Sequence, residues 1–144
     1  MSRTTINTVL AAAVVLFTFY LAISFVLTPE AAAQGFGLPE IPADGGGFLI
    51  VKGCRELAMG LGTGILLLTG QRRALGWVLL MTAAAPIGDM VNVLAHDGST
   101  ATAFGVHGST AALIAVTGLL ILRETSNASK DQPLAGREPA VQPA

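Results

Sequence analysis

Lys52, Arg55 and Glu56 lie within five residues of one another in a stretch that is otherwise almost wholly apolar. Asp89 and Asn92 interrupt a second such stretch, and His107 a third. Each residue type has a chemistry. A guanidinium stays charged and only donates hydrogen bonds, so Arg55 suits holding an oxygen or an anion. Glu56 and Asp89 are a carboxylate pair of the kind that performs general acid–base work, one activating water while the other carries charge. A histidine is the side chain suited to a proton relay in the neutral range, a role His107 could take. Lys52, Asn92 and the loop aromatic Phe36 complete the set as substrate contacts. The set needs no cofactor. His96 and His107 lack a helical H-x-x-x-H spacing, so they make no metal motif, and the lone Cys54 excludes an internal disulfide or a multi-cysteine metal site.

The elements that must position these residues follow from composition. Of 144 residues, 52% are hydrophobic and 12% charged, and mean hydropathy is +0.66. An average soluble domain carries roughly 25% charge. The balance excludes a disordered chain, and the formal net charge of -1 gives no pull toward nucleic acid. It argues against an ordinary soluble enzyme. A hydrocarbon core about 30 Å thick needs about 20 apolar residues per helix, and the stretches 6–27, 48–69, 74–94 and 103–122 qualify. The expected fold is all-α, an integral membrane bundle of four transmembrane helices. A loop at 28–47, rich in Gly and Pro, joins the first two spans, and a polar, Pro-rich tail at 123–144 is expected to be disordered.

Charge sets the direction. Arg3, Arg72, Arg73, Arg123, Lys130 and Arg137 all fall on one side of four spans, while the other side carries Glu30, Glu40, Asp44 and Asp97. By the positive-inside rule both termini are cytoplasmic in a cell membrane, with 28–47 outside. Ala31-Ala32-Ala33 resembles a signal-peptidase site, which would remove the first span, but the preceding apolar run exceeds the roughly 7–15 residues of a secretory signal.

Depth ties the polar residues together. At about 1.5 Å per residue, Lys52 to Glu56 lie roughly 6–12 Å below the outer face, Asp89 roughly 8 Å and His107 roughly 6 Å. Three helices thus place their costly residues in one layer. Lys52 and Glu56 are i,i+4. Asp89, Asn92 and His96 share one face. Pro86 should bend the third span near Asp89. Gly60-x-x-x-Gly64 lets the second span approach a neighbour of its own chain. Cys54 points away from Lys52 and Glu56.

Plainer readings stand beside the chemical one. Lys52 can snorkel to the interface. Arg55, Glu56 and Asp89 can form a structural ion pair that sets helix register. His107 can bond at a helix start. The corresponding functions are a site for a small lipophilic or amphipathic molecule with acid–base chemistry, or a non-enzymatic subunit that pairs with itself or with a membrane protein partner.

The pattern Gly53-x-Arg55-Glu56-x-x-x-Gly60-Leu61, then Pro86-x-x-Asp89, then His107 on the last helix, resembles a domain-of-unknown-function family of small four-helix membrane proteins. In size and layout it is similar to the DoxX-like proteins. The resemblance covers about residues 6–122 and leaves the tail outside. It implies the fold and membrane location. Some small fungal membrane proteins of similar appearance act as epoxide hydrolases or cyclases in polyketide pathways, so the resemblance implies epoxide opening or isomerisation on Arg55, Glu56, Asp89 and His107.

Overall fold

A computed structural model describes residues 2–39 and 46–130. The tail from 131 and loop residues 40–45, with Glu40, Asp44 and Arg137 of the charge count, lie outside the described residues. The described chain is helical throughout: α1 (Arg3–Leu27), α2 (Pro29–Gln34), α3 (Gly46–Leu68), α4 (Arg72–Thr82), α5 (Ala84–Ala95), α6 (Thr100–Thr102), a π-helical segment (Ala103–Gly108) and α7 (Ser109–Lys130).

The α1 helix begins where the Ser2 hydroxyl accepts the Thr5 N–H at 3.1 Å, satisfying one of the free amides of a first turn. It ends at Thr28, whose φ of -134° leaves the helical region, and Pro29 then opens α2. Residues 28–47, read from sequence as loop, therefore start with a short helix. Glycine brings α3 against α1. A Cβ on Gly53 would lie 2.8 Å from Val26 Cγ2 and 3.1 Å from the Ala22 carbonyl. A Cβ on Gly60 would lie 3.5 Å from Phe19 and one on Gly64 3.5 Å from Val15, ordinary contacts on the same side of α3. The GxxxG motif thus serves a contact within the chain, as expected.

The next helix breaks at Ala83, between α4 and α5. Pro86 has no N–H to return to the Thr82 carbonyl, and its ring crowds that oxygen, so the interruption falls where proline dictates. The α4 helix packs on α7, and α5 packs on the π-helical segment. One apolar core draws Ala11 and Val14 from α1, Leu75 and Leu79 from α4, and Ile114 and Ile121 from α7.

Three helical stretches, Arg3–Leu27, Arg72–Ala95 and Thr100–Ala128, are long and apolar enough to cross a membrane. The α3 helix has 23 residues, but every membrane-length stretch of it contains Lys52, Arg55 and Glu56. Large apolar side chains such as Phe48, Leu68 and Met81 stand on the outside, as they do on a lipid-facing surface.

The last helix does not stop near 122. It runs to Lys130, so residues 123–130, expected as the start of a disordered tail, are helical. The reason is tertiary. Glu124 is bound by Arg72 at 2.9 Å and by the Asn7 amide at 2.7 Å, while Arg72 also donates to the Thr8 hydroxyl at 3.0 Å. This knot ties α1, α4 and α7 at the end of the molecule remote from Lys52.

Candidate functional site

Each wall of the polar cavity is one helical stripe. On α1, Phe17, Leu21 and Phe25 recur every four residues. Lys52, Glu56 and Met59 on α3 follow i, i+4, i+7, as Thr82, Pro86 and Asp89 do across α4 and α5. His107 and Thr110 close the fourth side, and Gly35 and Phe36 cover the end. The cavity holds about 120 Å³.

Lys52 lines it and brings Nζ among charged and aromatic groups. It lies 2.9 Å from Asp89 Oδ2 and 3.9 Å from Glu56 Oε1. Two aromatic rings cradle the ammonium, Phe25 at 5.4 Å and Phe36 at 5.3 Å from their centroids, a geometry in which the ring faces attract a cation. Asp89 is thus held through Oδ2 by a short charge-assisted bond. Glu56 is not. It is 8% exposed, its nearest cation is beyond hydrogen-bond range, and no donor reaches it among the described residues.

His107 is buried and bonds through Nε2 to the Phe36 carbonyl at 2.9 Å. A carbonyl only accepts, so Nε2 carries the proton and Nδ1 is the basic nitrogen. The rings of His107 and Phe36 lie 4.8 Å apart and tilted. The covering segment is clipped a second time, where the Ser99 N–H donates to the Gly37 carbonyl at 2.8 Å. Gly37 has φ +93°, the left-handed conformation that glycine tolerates, and a Cβ there would strike Thr102.

The π-helical segment presents His107. The Ser109 N–H reaches back five residues to the Phe104 carbonyl, so one residue beyond the α-helical count is fitted into the turn. Such bulges recur at functional sites.

Among the expected site residues, Lys52, Glu56, Asp89, His107 and Phe36 converge. Arg55 and Asn92 do not. Arg55 is exposed and makes no ion pair among the described residues. The inward face of α3 is marked by Gly53, Glu56, Gly60 and Thr63. On a helical wheel Arg55 lies about 120° from the middle of that face. Sequence proximity to Glu56 put it in the set, and helix geometry takes it out. Asn92 is exposed near the end of α5, where its carbonyl bonds His96 Nδ1 at 2.9 Å. Cys54 is exposed, on the side away from the cavity.

Sequence reasoning missed the α1 wall. That helix is apolar on every face, so nothing distinguished Phe17, Leu21 and Phe25. It also missed the Asn7–Arg72–Glu124 knot, because Arg72 and Glu124 were assigned to a turn and a tail.

A family described as Domain of unknown function (DUF4267) matches residues 15–121. The matched region contains every cavity residue named above. No curated protein and no solved structure matches the chain.

Proposed function

The chain belongs to the family of the domain of unknown function DUF4267, and from that premise we propose a membrane protein of four spans. Its cavity binds a small lipophilic or amphipathic molecule and acts on it by cofactor-free acid–base chemistry. Two features support α3 as the fourth span. Lys52 and Glu56 face inward, and Lys52 and Asp89 offset each other's charge across the cavity. Arg3, Arg72, Arg73 and Arg123 gather at one end, with Glu30 and Asp97 at the other. This supports a cell-membrane protein with cytoplasmic termini.

The observation that carries the chemical reading is Glu56. It is a buried carboxylate that no hydrogen-bond donor reaches among the described residues, 3.9 Å from an ammonium, facing a hollow lined by aromatic rings. For a lipophilic epoxide, water attacks one ring carbon and Glu56 takes a proton from that water. The C–O bond breaks and Lys52 gives a proton to the ring oxygen. Transfer from Glu56 to Lys52 restores both groups, and the product is a diol. Lys52 thereby fills the oxygen-holding role that the sequence gave Arg55. His107 holds the Phe36 cover closed.

The test is turnover of lipophilic epoxides by purified protein in liposomes, read as diol by mass spectrometry. Glu56→Gln loses at least about a hundredfold, within the range of a general acid–base group, and Arg55→Gln keeps wild-type rates. Wild-type turnover in Glu56→Gln overturns the mechanism.

One observation favours a second reading. The Lys52–Asp89 bond is closed within the chain, as a pair that only sets helix register would be. That reading expects a stoichiometric membrane protein partner on purification and no small molecule in the cavity.

A further inference from the structure

A second hollow of about 180 Å³ lies between α1 and α7, bounded by Val14, Phe17, Thr110, Leu113 and Ile114. Phe17 and Thr110 also line the polar cavity, so the two spaces adjoin. We infer that the ligand is a single-chain amphiphile with an uncharged head, seated with its head beside Lys52 and Glu56 and its tail in the α1–α7 crevice. The inference rests on the cavity being a ligand site and names the class of molecule that fits it.

Polarity runs in one direction along this path. At the Phe25 end are Lys52, Glu56 and Asp89, and at the Val14 end every wall residue but Thr110 is apolar. From Phe25 to Val14 is eleven residues of α1, about 16 Å of helix. That is about half of a 30 Å hydrocarbon core, one leaflet deep. A tail in the crevice therefore lies parallel to the acyl chains around it. Each wall of the crevice is a single helical stripe and the hollow is small, about 180 Å³, so the tail inferred is one chain. Phe17 and Leu113 on its rim are exposed, while Val14 and Ile114 on its floor are buried. The opening thus faces sideways, and the tail enters from the bilayer without crossing the Phe36 cover.

Charge selects the head. Among the described residues Lys52 is the one Lys or Arg lining the cavity, and it is held by Asp89 at 2.9 Å. Glu56 then adds a second carboxylate, 3.9 Å from the same ammonium. A fatty acid or a phosphate head meets this surplus negative charge, with no further guanidinium or ammonium lining the cavity among the described residues. A hydroxyl or ether head meets acceptors on Glu56, donors on Lys52 and the hydroxyls of Thr82 and Thr110.

The test uses protein in phosphatidylcholine nanodiscs and a photoreactive dodecanol with its reactive carbon at the tail end. Binding is measured by competition with plain dodecanol, hexanol and dodecanoate. Labelling is expected on Val14, Leu113 or Ile114, displaced by dodecanol and not by dodecanoate. Leu113→Trp narrows the crevice from an exposed position. It weakens dodecanol at least about tenfold, the scale of one misfitted group in an apolar pocket, and leaves hexanol unchanged. Leu119→Trp, equally exposed on the same helix but off the crevice, changes neither. If Leu113→Trp leaves both alcohols bound as in wild type and Glu56→Gln weakens both, the tail crevice is overturned and the polar site stands. If dodecanoate competes as well as dodecanol, the head assignment is overturned. If neither alcohol binds, the polar site falls with it.

Discussion

Replacing Gly98 with alanine should open the cavity cover. Gly98 lies in the turn after α5, and its N–H donates to the Val93 carbonyl at 2.8 Å. A Cβ there would run into the Gly37 carbonyl oxygen, would lie 2.7 Å from Val93 Cγ1 and 2.8 Å from the Val93 carbonyl oxygen. Two of the three obstacles are backbone, which cannot rotate away. The turn must shift, and the bonds in its path are Ser99 N–H to Gly37 and Gly98 N–H to Val93. Each contributes about 0.5–1.5 kcal/mol net, and forcing a methyl into a packed site costs about 1–3 kcal/mol more. A conservative total of about 2 kcal/mol raises the opening equilibrium of the clip roughly thirtyfold. Hydrogen exchange in nanodiscs reads this directly, because the Ser99 amide is protected only while it bonds Gly37. Ser99 is expected to exchange about thirtyfold faster, with α1 and α7 amides unchanged. Gly88→Ala is the control, since a Cβ there meets nothing within 4 Å. Ser99 exchange within about twofold of wild type in Gly98→Ala would refute the clip as the fastening of Phe36.

Two further substitutions address the packing. Gly53→Ala pushes a methyl against Val26 and the Ala22 carbonyl and should destabilise the α1–α3 contact by about 1–3 kcal/mol in detergent unfolding. Gly62→Ala, with open space around it, should be neutral or gain up to about 1 kcal/mol from helix propensity. Glu124→Gln removes the partner of Arg72, whose side chain is 22% exposed. The loss should be about 2 kcal/mol, between an exposed and a fully buried pair, whereas Arg55→Gln should leave the unfolding midpoint where it is.

The residues of the site were legible because charges in apolar helices are few. Counting depth from the span ends placed Lys52, Glu56, Asp89 and His107 in one layer, and the structure brings those four around one hollow. Direction around the helix was read less well. Arg55 was grouped with Glu56 because they are neighbours in sequence, yet Gly53 and Gly60 already marked the packed face and would have set Arg55 outside it. Pro86 announced its break. The π-helical turn that contains His107 was not legible, since no residue type in Ala103–Gly108 demands a wider turn. What packs on that turn, α5 and Phe36, comes from distant parts of the sequence. The helical course of residues 123–130 was hidden for a similar reason, because a polar segment reads as tail until its carboxylate finds Arg72 and Asn7.

The three charges of α3 bear on how the chain is made. In the four-span arrangement, α3 is the segment least able to leave the translocon for lipid on its own hydrophobicity. Synthesis delivers α1 first, and the surface of α1 that receives Gly53, Gly60 and Gly64 is complete before α3 emerges. Asp89 emerges only after the next turn, so until then the nearest counter-charge to Lys52 is Glu56 at 3.9 Å. Co-translational insertion of α3 therefore depends on a neighbour already in place and on another still to come. In that arrangement Lys52 and Glu56, which line the cavity, are also the residues whose insertion α1 would assist by offering a surface already in place.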